Sequence, residues 1–189
     1  MGGITVVPAT VERIDDVLEI LPTGQGCHCQ YFRMGSSEYA GSGEEDRMSA
    51  LRHQLAAEPP PGMLAYLDGV VAGWCGFGPR PGMERLVRSR TIPRVDDRPY
   101  WSVVCFLVRP GARRRGVTGA LLEGVVDLAR RSGAPGLEAY PIDPEGRRVD
   151  TAFLYVGTRD TFARAGFTEV MPTGARSAGL PRLLMRLDL

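Results

Sequence analysis

Lysine is absent: all 23 basic residues of this 189-residue chain are arginine. Together with 24 glycines and 15 prolines, this is the residue usage of a GC-rich genome, so an arginine needs more than its presence to count as functional. Long apolar runs are missing as well. None approaches the ~18 residues that a membrane-spanning helix requires, and Met1-Gly2-Gly3-Ile4 has neither the basic nor the apolar part of a secretory leader. A cytoplasmic protein without a membrane partner is expected. Cysteine is scarce, and Cys27, Cys29, Cys75 and Cys105 fit neither a disulfide framework nor a zinc spacing. Cys27-His28-Cys29 invites a metal, but a C-x-C pair strains the tetrahedral geometry that C-x2-C satisfies, and further ligands would have to fold in from Cys75 or His53. No metal is expected. The thiols read as reduced and packed against aromatic rings, with a reactive or redox pair as the other reading. Aromatic residues make up only 7%, and residues 80–98 contain none, which argues against nucleic acid as a partner.

What remains is a composition of 43% hydrophobic and 24% charged residues, that of a globular chain and not of a disordered one. The length suits one domain covering residues 1–189, able to bury roughly 70% of its unfolded surface without a metal or disulfide. The net charge of +1 is unevenly spread. Residues 1–79 hold four arginines against ten acids, residues 80–115 hold ten against three, and residues 116–189 balance at nine each. A local anionic partner for the middle stretch is one implication; a solvated basic face is the other.

Ile4 to Pro8 reads as a first strand, and Thr10 as the cap of a helix carrying Val11, Ile14, Val17, Leu18 and Leu21, closed by Pro22-Thr23-Gly24. A second helix starts at the acid-rich Ser42 to Asp46 and ends before Pro59. Met63–Leu67 and Val70–Phe77 form a hairpin across Asp68-Gly69. A short helix and a loop occupy 83–99. Trp101–Val108 is apolar enough to be a central strand buried on both faces. A helix over 116–131 follows, with Val117, Leu121, Val125 and Leu128 on one stripe and Ser132-Gly133 as its stop. Gly136 to Ile142, a helix within 158–165, and the strand pair Phe167–Met171 and Leu183–Leu189 complete an α/β chain with a mixed sheet. That last pair offers an edge on which a homodimer could form.

Chemistry concentrates in residues 101–122, where a buried strand feeds Arg-Pro-Gly-Ala-Arg-Arg-Arg-Gly-Val-Thr-Gly into a helix start. Unpaired N–H groups and the helix dipole make such a start an anion site suited to a phosphate or pyrophosphate. Gly116 permits close approach to the backbone, and Arg113, Arg114 and Arg115 add charge-assisted attraction. The glycine pattern fits neither the dinucleotide fingerprint nor the lysine-containing phosphate loop.

Val108-Arg109-Pro110-Gly111-Ala112-Arg113-Arg114-Arg115-Gly116-Val117-Thr118-Gly119 resembles the acetyl-CoA motif of the GNAT superfamily of N-acetyltransferases, V-x-P-x-x-Q/R-x-x-G-x-G/A, with Thr118 where Gly or Ala is usual. The order of elements and the Ala165-Gly166-Phe167 turn are similar to that family too. The resemblance implies a GNAT-like, mostly antiparallel sheet with splayed central strands and flanking helices, and acetyl-CoA as cosubstrate. It implies contacts from Phe106, Leu107 and Val108 to the acyl end and arm, and from Arg113, Arg114, Arg115, Gly116, Val117, Thr118 and Gly119 to the phosphates. It also implies direct attack by a primary amine acceptor on the thioester, with an oxyanion held by a strand N–H.

The acid and base are less apparent. The family's tyrosine donor, four residues before the Gly-Phe turn, corresponds to Phe162, which cannot donate a proton and is expected to pack against the cofactor. Tyr155 is the replacement candidate, with Tyr140 another. Glu138 is the candidate base, with Asp96 and Asp97 behind it, although Glu138 in its strand could instead pair with an arginine. A non-catalytic acyl-CoA-binding module is the alternative function. Acceptor pockets in such an architecture are built near residues 24–43 and 80–100.

Overall fold

The computed structural model describes residues 3–21 and 26–189; the Pro22-Thr23-Gly24 helix stop and the start of the 24–43 segment lie outside the described residues. Seven strands form one sheet in the order β1-β2-β3-β4-β5-β7-β6. They are β1 (Ile4–Pro8), β2 (Gly62–Leu67), β3 (Val70–Pro79), β4 (Trp101–Val108), β5 (Gly136–Ala139), β6 (Thr168–Ser177) and β7 (Leu180–Asp188). Every pairing is antiparallel except β4 with β5. The helices are α1 (Ile14–Ile20), α2 (Ser36–Gly41), α3 (Glu44–Leu55), α4 (Glu84–Val87), α5 (Val117–Arg131) and α6 (Arg159–Arg164). Among the described residues no helix is long and apolar enough to cross a membrane.

Most expected elements stand where the pattern puts them, and the departures have local causes. The Asp68-Gly69 turn has positive φ at both residues (54° and 80°), the backbone that a type I′ hairpin needs. Thr10 does not cap a helix. It precedes a 3₁₀ turn over Val11–Arg13, and its side chain bonds Glu12 instead. Helix α2 has too little apolar periodicity to be visible in the sequence. Strand β5 ends at Ala139, three residues early, because Pro141 has no N–H to continue the ladder. The closing hairpin is longer than its apolar cores suggest, since the outer strand β6 alternates half-buried and exposed residues.

One face of the sheet carries α5 and α6 over Met63, Phe77, Trp101, Val103, Phe106, Leu137 and Met185. The other carries α1 and α3 over Leu64, Val71 and Trp74, and the 83–92 segment over Val104, Tyr140 and Leu184. Gly73 lets the first turn of α5 settle onto β3: a Cβ there would lie 2.7 Å from Val117 Cγ1.

The feature that shapes the molecule is the brevity of the β4–β5 pairing. It spans only Trp101↔Leu137, Ser102↔Glu138 and Val103↔Ala139. Beyond that point β4 carries an extra residue relative to β3, a bulge with Val103 opposite Phe77 and Cys105 opposite Gly76, and the two central strands part. At the paired end a buried polar cluster holds them together. Glu138, 1% exposed, accepts from Arg80 Nη1 (2.8 Å), from the Tyr140 hydroxyl (2.9 Å) and from Arg186 Nε (2.9 Å). Arg80 also reaches Ile92 O (3.2 Å), Ser102 bonds the Tyr140 hydroxyl (2.8 Å), and Arg186 continues to Asp96 (2.5 Å). Five segments of chain thus meet in one cluster around that carboxylate.

Removing that carboxylate leaves the buried Arg80 without its counter-ion and takes one of two from Arg186. Glu138→Ala is expected to lower stability by about 3–5 kcal/mol, read as a shift of the urea unfolding midpoint at pH 7; an unchanged midpoint would show that the cluster does not hold the strands.

Candidate functional site

Where β4 and β5 diverge, a cavity of ≈ 710 Å³ opens, lined by Cys105 to Val108 of β4, by Leu154, Tyr155, Gly157 and Thr158 opposite, and by Cys27 and Tyr31 at one end. A second cavity of ≈ 450 Å³ adjoins it at the start of α5. Val108, Arg113, Thr118 and Thr161 line both, so the two are one channel running along β4 to the helix.

The β4 wall presents main-chain groups. Arg109 N–H donates to Ala72 O on β3 (2.9 Å). Strand alternation then turns the N–H and C=O groups of Phe106 and Val108 away from β3 and into the opening. Val108 O is reached by Arg113 Nε at 3.3 Å. Leu107 contributes its side chain, since its backbone faces Trp74.

At the other end Gly116 is the N-cap of α5, at φ 86°, and no side chain caps the helix. Arg114 is also left-handed, at φ 59°. This tight turn exposes the first N–H groups of a 15-residue helix to the channel, together with the positive end of its dipole. Arg113, Arg114, Gly116, Val117, Thr118 and Gly119 all line the channel there. Arg115 does not: its guanidinium turns back to Asp68 of the β2–β3 hairpin (3.7 Å).

Five further candidates lie elsewhere. Phe162 is fully buried, its ring 5.9 Å from that of Phe106 and 5.1 Å from that of Phe167, so it packs beneath the channel and not along it. Glu138 is absent from the lining because the Arg80 and Arg186 pairs hold it in the cluster at the closed end. Tyr140 shares that cluster, where burial, and then the Glu138 charge, push its hydroxyl well above the usual phenol range. Asp96 is held below the usual carboxylate range by its bond to Arg186, and the exposed Asp97 pairs with Arg94. Tyr155, in contrast, lies in the channel wall opposite Cys105. Burial raises its pKa, so it keeps its proton through the neutral range.

The Cys27-His28-Cys29 segment is a turn with His28 and Cys29 both at positive φ (44° and 60°). That backbone sends the three side chains apart. Cys29 accepts from Trp74 Nε1 (3.0 Å) and meets Cys105, His28 Nε2 contacts Glu44 (3.1 Å), and Cys27 faces the cavity. Among the described residues no group of three His, Cys, Asp or Glu side chains is gathered to hold a metal ion. The bond from Cys29, then burial, raises the Cys105 thiol well above its usual pKa, and burial raises that of Cys27. No sequence signal announced that Cys27, Tyr31 and Cys105 would line one cavity, because Cys105 lies more than 70 positions from the other two.

Comparison with known proteins gives the same architecture. Residues 30–147 match the acetyltransferase (GNAT) family. No curated protein matches the sequence significantly. Among solved structures, yncA from Salmonella typhimurium, determined with its cofactor acetyl-CoA, is similar over 98% of this chain and 94% of its own, at 19% identity and a TM-score of 0.57. A GNAT-family acetyltransferase from Streptococcus pneumoniae is similar over 99% of each chain, at 15% identity and a TM-score of 0.58. A polyamine N-acetyltransferase from Drosophila melanogaster that forms N-acetylagmatine is similar over 99% of this chain and 100% of its own, at 13% identity and a TM-score of 0.57.

The thiols at the cavity end are expected to resist modification despite facing it. Alkylation of Cys27 and Cys105 by iodoacetamide, followed by mass spectrometry, should be slow at pH 7 and accelerate only above pH 9, since raised pKa values keep both protonated below it. Rapid labelling of either at neutral pH would contradict this.

Proposed function

The chain belongs to the acetyltransferase (GNAT) family, and from that premise we propose that it transfers the acetyl group of acetyl-CoA to a primary amine, as one domain over residues 1–189 acting in the cytoplasm. One observation carries the proposal. The channel joins an uncapped helix start at Gly116 to a strand edge at Phe106 and Val108 that β5 does not pair, and it ends between diverging strands.

Those parts suit acetyl-CoA, which supplies an activated thioester. The N–H groups at the start of α5, with Arg113 and Arg114 beside them, are donors for a pyrophosphate. The outward N–H and C=O groups of Phe106 and Val108 are a ladder edge for the amides of an extended arm, which would replace the strand pairing that β5 does not provide. N–H donors along the same edge are placed to stabilise negative charge developing on a carbonyl oxygen.

For the proton steps we assign Tyr155 as the donor to the departing thiolate. It lies in the channel wall, and burial keeps it protonated. Glu138 is not assigned as the base. Its lone pairs are taken up by two arginines and a tyrosine, and its part is to hold the strands. The amine then loses its proton to water in the cavity before attack. A non-catalytic acyl-CoA-binding module has in its favour the buried Phe162 and the occupied Glu138; release of thiol above background with a primary-amine panel decides against it.

Calorimetry with acetyl-CoA tests the cosubstrate site. Wild-type protein should bind, and Gly116→Glu should lose binding by more than about tenfold, since the new side chain needs a left-handed backbone and puts a carboxylate at the anion site. Equal binding by both proteins would refute the site. Tyr155→Phe should bind acetyl-CoA normally and turn over about 10²-fold more slowly; unchanged turnover would remove Tyr155 from the mechanism.

A further inference from the structure

Beyond Tyr31, which lines both, the acyl cavity is followed by a third pocket, of ≈ 500 Å³, between the 85–92 segment and the β6–β7 hairpin. Its cationic lining is unusual: Arg85, Arg88, Arg90, Arg176 and Arg182 face it, and no carboxylate does among its lining residues. Glu84 neutralises one of them, through Arg88 (2.9 Å). Arg94 and Arg98, from the same basic stretch, are engaged elsewhere, with Asp97 and Asp188.

Arg182 is the telling member. It is 5% exposed, its Nε donates to Tyr140 O (2.9 Å), and its Nη2 has no hydrogen-bond partner among the described residues. A buried guanidinium with a spare donor is costly unless something accepts from it. Its Cζ lies 5.4 Å from the centre of the Phe32 ring, and the residue lines the pocket. Arg85 lines the same pocket. Its guanidinium is stacked on Tyr31 (4.3 Å) and its Nε is likewise buried without a partner. Contact with an aromatic ring uses the face of a guanidinium and leaves in-plane donors, which suits an anionic group.

Resting on the transferase reading above, we propose that this pocket selects the acceptor: a small primary amine that also carries an anionic group, a carboxylate or a phosphoryl group, held by Arg182 and Arg85. Tyr31 lines both pockets, so an acceptor anchored at the arginines would extend its amine past Tyr31 towards Cys105 and Tyr155. The cationic lining also opposes a polyamine acceptor, which would meet like charge.

The test separates this proposal from the one it rests on. With saturating CoA present to fill the Gly116 site, the wild-type protein is titrated calorimetrically with glutarate and with inorganic phosphate. Binding of glutarate alone identifies a carboxylate site, and binding of phosphate identifies a phosphoryl site. Either should weaken at least about tenfold in Arg85→Gln and in Arg182→Gln, while both variants bind acetyl-CoA as wild type does, which also certifies their folding. If Arg182→Gln fails to fold, the half-buried Arg85→Gln decides alone. In turnover, glutamate or an aminoalkylphosphonate should be acetylated at least about tenfold more efficiently than glutamine amide or spermidine. Failure of acetyl-CoA to bind would overturn the transferase reading. Normal acetyl-CoA binding, with neither anion bound or with spermidine preferred, would overturn only the acceptor proposal.

Discussion

Two neighbouring parallel strands that are joined at one end and free at the other set everything else in this molecule. Parallel pairing between β4 and β5 lasts three residues, and the bulge at Val104 together with Pro141 prevents it from continuing. A sheet that opens in its interior would ordinarily expose unpaired backbone and lose stability. Here the joined end is fastened by Glu138 between Arg80 and Arg186, so the open end can keep its hydrogen-bonding edge free. The buried charges and the exposed edge are complementary parts of one arrangement.

The channel divides its work by electrostatic character. At α5 the attraction is built from backbone dipoles and two arginines, at a turn where left-handed residues aim the N–H groups outward. Along β4 it is neutral and directional. Past Tyr31 it becomes cationic again, now from side chains whose faces rest on aromatic rings. Between those two positive ends lie Tyr155 and the raised-pKa thiols, a region without a free carboxylate in its lining. Positive charge thus stands at both ends, and the middle is lined by neutral, proton-bearing groups.

Much of the frame could be read in the residues because it rests on local rules. Asp68-Gly69 dictates its turn, the apolar run of Trp101–Val108 its burial, and the Val117–Leu128 stripe its helix. Gly116 after an arginine-rich turn marks the start of α5. Long-range contacts were a different matter. Glu138 carries the same sequence environment whether it serves as a base or as a strut, and only the arrival of Arg80 and Arg186, 58 and 48 positions away, separates the two. Arg115 looks equivalent to Arg113 and Arg114 until the hairpin offers it Asp68. Phe162, read as a cofactor contact, lies one layer too deep, because Gly157 brings the backbone close over its ring.

The sequence alone therefore determined the order and type of most elements and the glycine-led start of α5, since propensity, periodicity and turn chemistry act over a few neighbouring residues. Tertiary structure decided which ionisable side chains are free. An arginine or a carboxylate has the same intrinsic chemistry everywhere along the chain, and whether it binds a ligand or braces a strand depends on the partner that folding brings within about 3 Å of it.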